Sequence, residues 1–143
     1  MTDPYKLQRF IDAQKAVFDT ALAELKAGRK QSHWMWFVFP QIAGLGLSST
    51  SRFYAIASLD EAQPYLARPL LGPRLVECVE TLLPWAETRS AEQIFGPIDA
   101  AKFRSSLTLF EQVGPSAPFA TALDSFFDGE RDNRTLALLE AAR

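Results

Sequence analysis

The chain has one cysteine, Cys78, and one histidine, His33, among 143 residues. A single thiol closes no intramolecular disulfide, and one His with one Cys makes no zinc constellation. No metal or cofactor is therefore expected, and the lone thiol suits a reducing compartment, so a cytoplasmic location is expected. Long apolar runs are missing too. The longest, Trp34 to Phe39, is far short of the ~20 residues that span a bilayer. The segment MTDPYKLQRFIDAQ carries charges throughout and does not read as a signal peptide, so a soluble protein with no membrane partner is expected. Neither charge sign dominates. A net charge of −2 gives no global attraction to long nucleic acid or to anionic membranes. Strict apolar–polar alternation and Asn-Gly or Asp-Gly hairpins between strands are absent, which argues against a sheet. There is no Walker loop and no G-x-S-x-G elbow.

What is present is helix punctuation. Apolar residues are 48% of the chain, and at this length one domain over residues 1–143 can bury roughly 70% of its unfolded surface without staples. Asp3-Pro4 starts a helical stripe of Leu7, Phe10, Ile11, Val17, Ala21, Leu22 and Leu25, one bent helix or two, stopped at Gly28. Trp34–Phe39 reads as a short helical turn, and Ser51–Ala57 as another with Phe53 and Ile56 inward. Ser58 with Glu61, and Ser90 with Gln93, fit capping boxes. A helix from Ser58 to about Ala67 has to tolerate Pro64 or kink there, and residues 70–83 form another before Pro84. Asp99 is placed as the cap of a helix running to Val113, Pro118 opens one that stops at Gly129, and Asp132 or Asn133 caps the last. The predicted fold is all-α: a compact irregular bundle of about seven or eight short helices.

The densest stretch is Lys30–Arg52, KQSHWMWFVFPQIAGLGLSSTSR. Its pattern S-H-W-M-W-F-x-F-P-Q-x-x-G-L-G-x-S resembles the bacterial family called domain of unknown function 1810. The resemblance continues through Tyr54-Ala55-Ile56, Leu71-Gly72-x-Arg74-Leu75, Ile94-Phe95-Gly96, Asp99-x-x-Lys102 and Thr108-Leu109-Phe110, and ends at Gly129-x-x-Asp132 with Thr135-Leu136. It implies a compact all-helical domain and no established activity; some members carry the label calpastatin, though nothing in the chain looks like a disordered inhibitor. Lys102-Phe103 before an apolar helix, with the late Asp-Asn-x-Thr-Leu, is similar to a second family, the predicted processing enzymes for NAD and ADP-ribose derivatives.

Histidine is the side chain whose free pKa lies nearest neutrality, so His33 could act as acid or base with Ser32 orienting it, or bond a backbone carbonyl with its ring on the aromatics. Trp34, Trp36, Phe37 and Phe39 read first as core, with one tryptophan left to face a pocket and stack on a planar ligand. Gly44 and Gly46, with Ser48 to Ser51, could cradle an anion beside Arg52, or simply cap the following helix. Asp99 and Lys102 lie one turn apart, either as a cap with a surface lysine or with Lys102 on a phosphate. Arg104 is expected in solvent. These readings converge on a pocket formed by Ser32, His33, Trp34, Trp36, Gln41, Gly44, Gly46, Ser48, Arg52 and Lys102. It would take a nucleotide or another phosphorylated small molecule, including an ADP-ribose or NAD-type N-glycosidic derivative. If it is catalytic, His33 or Asp99 serves in metal-free glycosidic hydrolysis. The alternative is a non-enzymatic protein-interaction module that uses exposed aromatic residues.

Overall fold

A computed structural model describes residues 3–142. Ten α-helices and one 3₁₀ helix account for its regular structure: α1 (Gln8–Lys15), α2 (Phe18–Lys26), α3 (Met35–Val38), α4 (Ser49–Phe53), α5 (Leu59–Ala67), α6 (Leu71–Leu82), the 3₁₀ helix (Leu83–Glu87), α7 (Ala91–Phe95), α8 (Pro97–Glu111), α9 (Phe119–Phe127) and α10 (Asn133–Ala141). The fold is all-α. An isolated parallel bridge, Ile42 to Ile56, is the only β pairing among the described residues.

Local chemistry explains most of the boundaries. Asp3 accepts from the backbone N–H groups of Leu7 and Gln8 at 2.8 and 3.0 Å, satisfying donors that the first turn leaves unpaired. Gly28 stops α2 at φ +69°, a conformation that L side chains resist, and its missing Cβ leaves room for the Trp85 ring. Ser90 and Gln93 form both halves of a capping box, and Asp132 caps α10 through Thr135 N. Pro64 lies inside α5 without ending it.

Helix α8 runs through the centre and is buried on nearly every side from Phe103 to Phe110. Phe103 stacks on Phe95 (4.8 Å between ring centres) and meets Phe39 edge-on (5.0 Å). Tyr65 joins Phe10 to Phe110 at 5.0 and 5.2 Å, and Trp34, Phe10, Phe39, Phe103 and Phe110 are almost wholly buried. Each such ring contributes roughly 2–3 kcal/mol by leaving water. Trp34 and Phe39 thus take the core role the sequence suggested for the aromatic run.

Four local expectations are corrected, and long-range partners account for most of them. Phe53 does not point inward: it ends α4 at 58% exposure, while Ile56 is buried through the bridge strand. Ser58 begins α5 without a side-chain cap bond, and the Glu61 carboxylate, which a capping box would turn to Ser58 N, goes instead to Ala57 N (2.9 Å) and to Arg9 (2.8 Å). Asp99 caps nothing. Gly96 precedes α8, whose first residue is Pro97, and the Asp99 carboxylate turns to lysines instead. Arg104 is not free in solvent: though its side chain is 30% exposed, it donates to the carbonyls of Glu130 (2.9 Å) and Arg131 (2.7 Å) and holds the α9–α10 connection.

Candidate functional site

The site is built on the loop between α3 and α5. Pro40 ends the aromatic turn, and the chain returns through the Ile42–Ile56 bridge, where Ala43 N donates to Ile56 O and Ile56 N to Gln41 O, both at 2.8 Å. Between these ties, Gly44 turns at φ +107° and Gly46 passes so close to α4 that an added Cβ would fall 2.5 Å from Ser51 Oγ. Ser48 caps α4 by accepting from Ser51 N (3.1 Å). Arg9 fixes the far end from α1, donating to Phe53 O (2.8 Å), Ala55 O (3.0 Å) and the buried carboxylate of Glu61.

The loop encloses a cleft of about 100 Å³ lined by Trp36, Gln41, Gly44, Gly46, Ser51, Arg52 and Tyr54. Two open hollows flank it. One, about 500 Å³, is aromatic, with Trp36, Phe37, Phe53 and Tyr54. The other, about 480 Å³, shares Gln41, Gly46 and Ser51 with the cleft and reaches Ile98, Lys102, Ser105, Asp132 and Arg134. Shared walls join the three into one groove.

The groove is positive. Lys102 Nζ lies 4.8 Å from the centre of the Trp36 ring and 3.5 Å from Asp99 Oδ1. The other Asp99 oxygen takes Lys30 Nζ at 2.9 Å, and Lys30 is nearly buried, donating to Ser32 O and lying over Trp34. One carboxylate thus serves two ammonium groups. Arg52 and Arg134 donate no side-chain hydrogen bond to any described residue. Asp132, the carboxylate that lines the basic hollow, is committed to Thr135 N and Oγ1 at 3.0 and 2.5 Å. Because Thr135 spends its proton on Asp132, Ser105 must be the donor in its 2.9 Å contact with Thr135, so it can offer the hollow only lone pairs.

The sequence candidates therefore separate. Trp36, Gln41, Gly44, Gly46 and Arg52 line the cleft; Lys102 lines the basic hollow; Ser48 supports Ser51 from outside. Ser32, His33 and Trp34 lie elsewhere. Ser32 Oγ and Trp34 Nε1 donate to Glu24, and Trp34 is buried. His33 is exposed and bonds no described residue. Asp99 stands behind Lys102 with both oxygens occupied. Ser51, expected in the anion-cradling loop, lines both cleft and basic hollow, and Tyr54, Ser105 and Arg134 join the site without having been singled out. Arg134 had no sequence signal beyond its charge, whereas Ser51 and Tyr54 fall within motifs already noted.

Glu24 was also missed, and it anchors the segment before Trp36. Burial raises its pKa, but hydrogen bonds from Ser32 Oγ, from the N–H groups of Gln31 and Ser32 and from Trp34 Nε1 outweigh that and bring it to about 2. No group of His, Cys, Asp and Glu side chains among the described residues could hold a metal ion, and no described helix is long and apolar enough to cross a membrane.

Comparison with known proteins places this geometry in a family. A family model described as protein of unknown function (DUF1810) matches residues 4–139. Among solved structures, the conserved hypothetical protein Rv1873 from Mycobacterium tuberculosis is similar over 96% of this chain and 99% of its own, with 48% identity and a TM-score of 0.93. No curated protein matches.

Proposed function

The chain belongs to the DUF1810 family of proteins of unknown function, and we propose that its groove binds a phosphorylated ligand with a planar ring, the class that includes nucleotides. The observation that carries this reading is the convergence of Lys102, Arg52 and Arg134 on a groove walled by Trp36, with only Asp99 and Asp132 as counter-charges. Guanidinium and ammonium groups with unused donors favour phosphate oxygens, and aromatic faces favour planar rings.

Size constrains the pose. Ligand sites for drug-sized molecules are typically ~300–1,000 Å³, so the cleft of about 100 Å³ encloses only part of a nucleotide. The ring belongs against Trp36 and Tyr54 and the phosphates along Lys102 and Arg134. Neither Asp99, with both oxygens on lysines, nor His33, outside the groove, faces a glycosidic bond held in this pose.

The test is a thermal-shift panel of nucleotides, ADP-ribose and simple phosphomonoesters against wild type and Lys102→Ala. Binding at 100 times Kd stabilises by about 2.7 kcal/mol, which at this size raises Tm by roughly 8 °C. The shift is expected in wild type and lost in the variant. No shift with any phosphorylated compound contradicts the proposal.

A further inference from the structure

Among the described residues, the large apolar side chains most exposed to water are Leu47 (80%), Ile98 (73%), Phe53 (58%) and Leu70 (40%). Two of the four line the groove. Phe53 forms one wall of the aromatic hollow, Ile98 lies in the basic hollow, and Leu47 follows Gly46 on the loop between them. Leaving them in water has a cost that a site for a free small molecule does not require. Exposed apolar side chains gathered around a polar site mark a macromolecular contact.

The enclosed volume agrees. A cleft of about 100 Å³ is the size of one side chain, not of a whole nucleotide. Its walls supply aromatic rings at Trp36 and Tyr54 and a cation at Arg52, with Lys102 beyond. Those are the groups that recognise an aryl phosphate: a ring to stack and donors for three phosphate oxygens. The open hollows on either side continue the groove, as an extended segment passing through the site requires.

Resting on the phosphate-binding reading above, we propose that the natural ligand is a phosphorylated side chain carried on a polypeptide. An aryl phosphate enters the cleft beside Arg52 and Lys102, and the apolar residues flanking it rest on Phe53 and Ile98. The partner is acidic at the phosphorylated position and apolar beside it, complementary to a face that is positive on a chain of net charge −2. Cation clusters that read a phosphorylated residue, with neighbouring pockets reading its flanks, are a recurring mode of peptide recognition.

The experiment compares four probes by fluorescence anisotropy or competition: a phosphotyrosine peptide with leucine or isoleucine on both sides, the same peptide unphosphorylated, phenyl phosphate, and ATP. The expected result is peptide binding at least tenfold tighter than phenyl phosphate. Leu47→Ser, at a side chain that lines none of the three hollows, should reduce that gain and leave the affinity for phenyl phosphate unchanged, and Ile98→Ser should weaken peptide binding more than phenyl phosphate binding. Both side chains are exposed, so these variants are expected to fold; Phe53 packs against Tyr54, so Phe53→Ser serves as a third with its melting curve checked. Phenyl phosphate or ATP binding as tightly as the peptide overturns the polypeptide assignment and leaves the phosphate site standing. Equal binding of the unphosphorylated peptide also overturns it. If no phosphorylated probe binds, the proposal and the reading beneath it both fall.

Discussion

Lys102 Nζ stands 4.8 Å from the centre of the Trp36 ring. Asp99 holds it there while itself held by Lys30, so a nearly buried ion pair positions a cation whose charge is only partly neutralised. The two tryptophans of the WMW segment are thereby given different work. Trp34 is buried with its indole N–H on Glu24; Trp36 is half-buried in the groove. Trp34→Ala is expected to cost about 3–5 kcal/mol, in line with large-to-small changes in a core, and Trp36→Ala about 1 kcal/mol. Urea denaturation of both variants measures the difference, and equal losses would contradict the assignment.

Acid should expose Glu24. Its folded pKa of about 2 lies below the unfolded 4.5, so its contribution is complete above the unfolded value and is lost as pH falls through 4.5 toward 2. With allowance for solvent screening, the loss is on the order of 1–2 kcal/mol. Glu24→Gln should be less stable than wild type at pH 7 and should converge with it near pH 2–3 in urea titrations. A gap independent of pH would rule out the carboxylate as the cause.

Gly44 and Gly46 hold the loop for separate reasons. At Gly44 the φ of +107° strains any L side chain, and a Cβ would also press Leu138 at 3.0 Å; at Gly46 the backbone is permissive but Ser51 occupies the space. Gly44→Ala is expected to cost roughly 1–3 kcal/mol. Gly46→Ala should cost less in stability and more in ligand affinity, because it displaces Ser51 at the wall shared by cleft and basic hollow. Melting and binding measured together check both.

The helical architecture was legible because its signals are local. The Ser90–Gln93 box, the Asp132 cap and the Gly28 stop each act within a few residues, and each is found where expected. The failures share one origin. Ser58 with Glu61 satisfies the capping pattern, yet Arg9, far away in sequence, claims the carboxylate; Asp99 lies in the first turn of a helix that Gly96 and Pro97 have already begun, and Lys30 takes its carboxylate. Leaving a buried carboxylate unpaired costs more than losing a cap worth ~1 kcal/mol, and nothing in a local window shows that the partner will arrive. The site was half legible for the same reason. Loop residues 41–52 stay together because they are contiguous, whereas the alignment of Lys102 and Arg134 with Trp36 comes from the packing of α8 and α10.

Arg9→Ala should be among the most destabilising single changes. It removes the partner of a carboxylate whose side chain is 4% exposed and frees the carbonyls of Phe53 and Ala55. Breaking such a pair from one side costs about 3–5 kcal/mol. His33→Ala, by contrast, should change stability by less than about 0.5 kcal/mol and leave ligand affinity intact, since the ring is exposed and bonds no described residue. A large effect of His33→Ala on binding would move the site away from the groove.

The most direct measurement is the ¹H–¹⁵N spectrum of the three indole N–H groups, assigned with single Trp→Phe variants and titrated with phenyl phosphate and ATP. Trp36 lines the groove, Trp34 is tied to Glu24, and Trp85 lies against Gly28. The expected outcome is a saturable shift of the Trp36 resonance, absent in Lys102→Ala, with Trp34 and Trp85 unmoved. A ligand that shifts Trp85, or binds without disturbing Trp36, would contradict the assignment of the groove as the binding site.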